Sequence, residues 1–401
     1  MITELLAPGA PPRAGTVPLF VPCLEGRERE YVRECFETGW VSSAGPFVDR
    51  FEAIVAEAVG ARHAVATSSG TAALHLALLV AGVGRDDVVL VPSLTFVAPA
   101  NAVRYVGARP LFIDAEPRFW QMDVEQTLHR LGAAVRRAGG LVDRESGRRI
   151  GAVLPVHALG HPVDLDPLLE RCRALAVPVV EDAAESLGAS YRGRAVGRSG
   201  DVACFSFNGN KLVTTGGGGM LVTDRADWAS RARYLSTQAK DDALEYVHGA
   251  VGYNYRLSNL LAAVGVAQME RLAPLVEAKR AVARRYAEGL GGVPGLTLMD
   301  EAPWARSTYW MYTVLVDEAV FGMSARALLR RLAHAGIQTR PLWQPLHLSP
   351  AHGPEPGRCP VAESLHRRAL TLPCSAGLTA AEQDRVVEAV RAAAASAEGA
   401  A

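Results

Sequence analysis

From about Val65 to Thr223 the chain alternates short β-branched or aliphatic runs with stretches whose apolar residues recur every three or four positions. The short runs are Ala64–Ala66, Val88–Val91, Pro110–Ile113, Ala152–Pro155, Val177–Glu181, Val202–Ser206 and Gly219–Val222. Several are apolar throughout, as strands covered on both faces are. Helical spacing appears at Gly70–Val83, Thr95–Val106 and Asp166–Ala174, with Thr71, Ala72, Leu74, Leu78 and Leu79 packing in the first. This alternation predicts a mostly parallel α/β sheet.

The pattern changes outside that region. Residues 134–150 are polar and Gly-rich and read as a surface excursion. From Leu257 to about Gly289 the periodicity of Ala262, Val266, Met269, Leu272 and Leu275 predicts one long connecting helix. Residues 290–393 predict a smaller α+β domain. Its strands lie near Tyr312–Val316 and Gln338–Leu342, its helix near Ala325–Ala335, and a Pro/Gly/His-rich loop at 347–360. A large α/β domain would span 19–256. Residues 1–18 read as a loose arm and 394–401 as a disordered tail.

Composition narrows the function classes. Lys+Arg and Asp+Glu number 42 each, so no basic excess points to nucleic acid. The six cysteines form no Cys-x-x-Cys pair and read as reduced thiols of a cytoplasmic protein. No signal peptide is legible at the N-terminus, and no apolar run reaches the ~18–20 residues of a membrane span. His157 and His161 are four apart, but Gly160 and Pro162 interrupt them at a strand end, so no metal site is expected. His157 is instead a candidate active-site residue.

The chemistry gathers around Lys211. It ends the run Phe205-Ser-Phe-Asn-Gly-Asn-Lys211 and precedes the glycines Gly216–Gly219. Asn208-Gly209-Asn210 suits a tight turn. Asn210 precedes the lysine and the earlier Gly is missing, so this is not a Walker loop. Asp182 closes the apolar run Val179-Val-Glu-Asp182, where open α/β sheets place ligands. A lysine amine can form a Schiff base with an aldehyde cofactor. An aspartate can hold that cofactor's pyridine nitrogen protonated, and the two together point to pyridoxal 5′-phosphate (PLP). Glu185 faces either the cofactor's phenolic oxygen or, as a capping-box partner, Asp182. Thr67-Ser-Ser-Gly-Thr71 before an apolar helix suits a phosphate, with Ser206 adding a hydroxyl. Phe96 is a candidate stacking ring or a plain core residue. A simple turn lysine and ordinary helix caps are the plain alternatives at these positions.

The chain resembles the sugar aminotransferase family (DegT/DnrJ/EryC/StrS type) of fold-type-I PLP enzymes over roughly residues 18–393. The matching segments are Gly39-Trp-Val-Ser-Ser-Ala-Gly-Pro46, Ser69-Gly-Thr-Ala-Ala-Leu74, Glu181-Asp-Ala-Ala-Glu185, Phe205–Lys211, Gly252-Tyr-Asn-Tyr-Arg-Leu257 and Leu370-Thr-Leu-Pro-Cys-Ser375. The resemblance implies a large domain with a mostly parallel seven-stranded sheet and a smaller C-terminal domain. It implies that Lys211 links the cofactor, Asp182 pairs with the pyridinium, Phe96 stacks on the ring, and Ser69, Gly70, Thr71 and Ser206 bind phosphate. Asn254 would reach the phosphate of a neighbouring subunit, which makes the active unit a homodimer. Trp40, Ser42, His157, Arg256 and Arg340 are the expected substrate contacts. Lys240 is a further candidate for the diphosphate, with plain surface charge as its alternative.

Where the family commonly has Gln, this chain has Glu185. That residue, with Thr237-Gln-Ala-Lys-Asp-Asp242, resembles the legionaminic acid/bacillosamine branch. The branch implies transfer of an amino group from L-glutamate to the 4-keto group of a UDP-linked 2-acetamido-2,6-dideoxy-4-ketohexose. A 3-keto nucleotide sugar or a keto-cyclitol is the rival substrate. A non-catalytic PLP-binding regulator is the rival class; the presence of Lys211 speaks against it.

Overall fold

The computed structural model describes residues 15–242, 244–354 and 358–398. Its main sheet contains the seven expected strands: His63–Thr67 (β1), Val88–Pro92 (β2), Arg109–Ile113 (β3), Ile150–Val153 (β4), Val180–Asp182 (β5), Val202–Ser206 (β6) and Gly219–Thr223 (β7). Their order is β1-β7-β6-β5-β4-β2-β3, with β4 and β5 joined through the bridges Val153–Val179 and Val156–Asp182. β7 runs antiparallel to both neighbours, and the other pairings are parallel. The β6–β7 connection, residues 207–218, contains no helix. A parallel return needs a crossover, so this loop returns β7 as a hairpin does.

Alternation along the strands feeds two layers. Ala64, Ala66, Phe205 and Met220 pack with helices Glu28–Thr38 (α1), Pro46–Val59 (α2) and Asn259–Met269 (α7). Val65, Val91, Cys204 and Leu221 pack with Gly70–Val80 (α3), Ala98–Tyr105 (α4) and Ala226–Ser236 (α6). Leu165–Leu175 (α5) covers the β4 side through Leu165, Leu168 and Cys172. Because α4 starts with Pro99 in its first turn, Thr95 and Phe96 stay outside the helix. The excursion at 134–150 holds a small hairpin, Val135–Arg137 with Gly140–Val142.

The expected single helix at 257–289 is two, α7 and Leu272–Leu290 (α8). Arg271 leaves helical geometry at φ −111°, ψ 11°. Pro274 lies in the first turn of α8, where its missing N–H and its ring are tolerated; inside a continuous helix they would not be. The C-terminal sheet is antiparallel: Leu296–Leu298 (β8), Tyr312–Val316 (β9), Arg340–Pro341 (β10) and Ala369–Leu372 (β11), in the order β8-β9-β11-β10. Helices Ala325–His334 (α9), Pro360–Arg368 (α10) and Ala380–Glu398 (α11) belong to the same part of the chain. Its core also takes in Leu94 and Leu159 from the main sheet's loops and Phe112 from β3.

The expected terminal segments differ in detail. Val17 is buried, donates its N–H to Gly336 O at 2.9 Å and accepts one from Gln338 N at 2.9 Å, so residues 15–18 are not loose. Residues 1–14 of the expected arm lie outside the described residues. The expected tail at 394 begins inside α11; residues 399–401 lie outside the description. No helix among the described residues is long and apolar enough to cross a membrane.

Candidate active site

A cavity of about 300 Å³ opens at the carboxyl ends of β1, β2, β5 and β6. Ser69, Gly70, Thr71, Phe96, Asp182, Glu185, Ser206 and Lys211 all line it. The strands bring together segments from four separate loops.

The anion end is the start of α3. Thr67 Oγ1 donates to Ser69 O at 2.9 Å, and the Ser69 hydroxyl accepts the Ala72 amide at 3.1 Å. The amides of Gly70 and Thr71 then stand in the first turn, where no intrahelical carbonyl exists for them. A Cβ at Gly70 would sit 2.8 Å from Ser206 Cβ, so only glycine lets β6 approach this closely.

Lys211 leaves the loop after β6. Its amide donates to Asn208 O at 2.9 Å, and Gly216 at φ 82° turns the chain back toward β7. Lys211 Nζ lies 3.5 Å from Glu185 Oε1 and 3.9 Å from the centre of the Trp310 ring. The Trp310 indole N–H donates to Asn210 O at 2.7 Å and so ties the lysine loop to the C-terminal part.

Asp182 ends β5 and is buried, with Oδ1 accepting the Ala184 amide at 3.0 Å. Burial pushes its carboxyl above the usual range, opposed by the Ala184 N–H and the Lys211 charge. Glu185 does not cap Asp182. Its Oε2 accepts the Leu159 amide at 2.8 Å, from a turn in which Leu159 adopts φ 60°. Burial pushes Glu185 up from 4.5 to about 7, opposed by Lys211. An acid raised in this way binds its proton more tightly folded than unfolded. Its folding stability is therefore present below the unfolded value and lost as pH rises toward about 7. Glu185→Gln should flatten the decline of the apo-protein's melting temperature between pH 5 and 7. Parallel decline in both proteins would show that Glu185 is already ionised at pH 5.

Several expected substrate contacts lie elsewhere. His157 is fully buried; Val163 N–H donates to its Nδ1 at 3.1 Å, which leaves Nε2–H to donate to Glu181 Oε2 at 2.9 Å. It is absent from the cavity wall, because its ring is turned to Glu181 and Val163. Arg256 is held by Glu52 at 2.6 Å, and Glu52 also takes Arg233 at 2.7 Å and the Ala66 amide at 2.8 Å. The chain therefore uses Arg256 to fasten α2 to the end of β1, away from the cavity. Arg340 donates to Thr339 O at 3.0 Å within the small sheet and is likewise outside it. Lys240 is exposed, 5.0 Å from the Tyr246 ring.

Trp40, Ser42 and Asn254 are exposed and do not line this cavity. Asn259 fixes the first two through bonds to Trp40 O at 2.8 Å and Ser42 O at 2.6 Å. His161 accepts the Ala302 amide, and burial pushes it down to about 4. No group of His, Cys, Asp and Glu that could hold a metal is present among the described residues.

Trp310 and Trp343 also line the cavity, with rings 6.5 Å apart and 13° from parallel. Sequence reasoning missed both. Thr308-Tyr-Trp-Met-Tyr312 reads only as the approach to a strand, and no local signal aims its indole at Lys211.

The sequence matches the DegT/DnrJ/EryC1/StrS aminotransferase family over residues 22–391. It is 41% identical to EpsN of Bacillus subtilis (strain 168), whose name marks it as a candidate pyridoxal phosphate-dependent aminotransferase. That match covers 92% of this chain and 93% of the relative. It is 40% identical to a GDP-perosamine synthase of Caulobacter vibrioides, over 92% of this chain and 96% of that one. The solved structure of the aminotransferase TlmJ from Streptoalloteichus hindustanus superimposes with a TM-score of 0.86 at 34% identity, covering 95% of this chain and 99% of that one.

Proposed function

The chain belongs to the DegT/DnrJ/EryC1/StrS aminotransferase family, and from that premise we propose that it moves an amino group from L-glutamate to the 4-keto carbon of a nucleotide-linked 6-deoxy-4-ketohexose. The observation that carries this reading is the meeting of Lys211, Asp182 and Glu185 in one cavity below the start of α3.

Fold-type-I enzymes of this family use PLP, and the residues present fit it. A first-turn cradle that admits no Cβ at Gly70 suits a phosphate. A buried carboxylate with one protein donor suits a pyridinium. Bound there, PLP supplies an electron sink that carries the amino group between donor and acceptor.

The chain's own residues divide the remaining work. With PLP bound, Gly70, Thr71 and Ser206 would hold its phosphate, Phe96 would cover the ring, Asp182 would keep the ring nitrogen protonated and Glu185 would face the phenolic oxygen. Lys211 takes a proton from the donor's α-carbon and later returns one to the new amine's carbon. Asn254 completes the phosphate site of a second copy, and the exposed Trp40 and Ser42 meet the substrate at that shared mouth.

The sugar is read from two sides. Glu185 and the segment 237–242 favour a UDP-linked 2-acetamido-2,6-dideoxy sugar. The 40% identity to a GDP-perosamine synthase favours a GDP-linked sugar as the second reading. The test is the visible absorption of the PLP-loaded protein. L-glutamate should bleach it, and the accepted keto sugar should restore it. Recovery with the UDP sugar supports the first reading, and recovery with GDP-4-keto-6-deoxymannose the second. Bleaching without recovery by either would keep the aminotransferase and reject both of these sugars.

A further inference from the structure

Among the described residues Lys279 is the one lysine or arginine that is buried. It lies on α8, and no carboxylate pairs with it among those residues. An ammonium removed from water without a counter-charge is costly unless strong acceptors replace its hydration. Here the acceptors are backbone carbonyls. Nζ donates to Trp310 O at 2.7 Å and to Cys374 O, and the Phe20 ring lies 5.5 Å away. Burial pushes the amine below the ordinary lysine range.

The two carbonyls occupy a particular place in the small sheet. The β9–β11 ladder ends at the pair Tyr312–Leu372. In that antiparallel register the next same-face partners would be Trp310 and Cys374. No ladder bond forms between them among the described residues; Cys374 N–H goes to Leu19 O at 3.0 Å instead. Lys279 therefore joins the strands where the ladder opens. The strand that opens carries Trp310 out to the cavity, where its ring meets Lys211 Nζ at 3.9 Å and its N–H holds Asn210 O at 2.7 Å.

We propose that Lys279 is a positioning residue of the amine-transfer site, acting by tying the Trp310 and Cys374 carbonyls together so that the Trp310 indole is held against Lys211 and its loop. The role rests on the function proposed above, but it is measured on two separate readouts. One is the rate at which apo-protein captures PLP, followed by visible absorption without any sugar. The other is kcat for amine transfer.

Lys279→Met replaces the amine with an apolar side chain of similar length. It should slow PLP capture and lower kcat about ten- to a hundredfold, as a displacement of order 1 Å at a reacting group does. Trp310→Phe, which removes the indole N–H, should slow both comparably. The double variant should be no slower than the slower single one, because the lysine acts through the tryptophan. If the two losses multiply, or if Lys279→Met lowers only the melting temperature, the proposal is overturned. If the Met variant does not fold, Lys279→Gln carries the cycle: its amide nitrogen stands one bond short of Nζ, so it should tie the two carbonyls less well and slow both readouts in the same direction by a smaller factor, without multiplying the Trp310→Phe loss. Failure of the wild-type protein to aminate any keto sugar would remove the proposed function but leave the capture measurement decisive for Lys279.

Discussion

Lys211→Ala should lower the turnover of amine transfer by about 10³-fold, within the range lost when a positioned proton-transfer group is removed. The expectation follows from the surroundings of Nζ. Among the described residues Lys211 is the one cation lining the cavity, so no second amine stands ready to take its place. Its side chain is 13% exposed and packs between Glu185 and the Trp310 ring. The fold should survive. Without the ammonium, Glu185 loses the charge that opposes its upward shift and accepts a proton instead. Release of 2-oxoglutarate from L-glutamate in the presence of the keto sugar measures the loss. A variant retaining a tenth of the wild-type turnover would remove Lys211 from its proposed role.

Asp182→Asn should separate activity from stability. Turnover should fall by roughly 10²–10³-fold, the cost of losing one preorganised electrostatic partner. Stability of the apo-protein at neutral pH should rise. The Asp182 carboxyl is raised by burial, so the folded chain holds its proton more tightly than the unfolded one. Its favourable contribution is therefore lost as pH rises from the unfolded value through the folded one, and at pH 7 the ionised group opposes folding. An amide avoids that charge at nearly the same volume. PLP should also stabilise the variant less than the wild type, because tighter binding to the native state gives the larger shift. Melting temperatures with and without PLP test both statements. A less stable apo-variant would mean that the charge at Asp182 is well solvated. An undiminished PLP shift would mean that the carboxylate does not hold the ring.

The sequence alone was enough for the seven strands of the main sheet, because strands buried on both faces are apolar at nearly every position and end in short polar turns. It also placed Lys211, Asp182, Glu185, Ser206 and the Ser69–Thr71 turn at strand ends and a helix start, which are local signals. What those residues do relative to one another was decided by tertiary structure. The antiparallel direction of β7 follows from a connection with no crossover helix. The break between α7 and α8 depends on one residue leaving helical geometry ahead of Pro274.

Long-range partners decided the rest. Arg256 reads as a candidate for a diphosphate until Glu52, far away in the chain, is found holding it. His157 reads as a site residue until Glu181 and Val163 use both its nitrogens. Trp310 and Trp343 have no sequence signal for a role, yet the packing of the C-terminal sheet makes them the wall facing Lys211. Hydrophobic periodicity and turn chemistry are set by neighbours along the chain. The partner of a charge, and the direction of an aromatic ring, are set by whatever the fold brings against it.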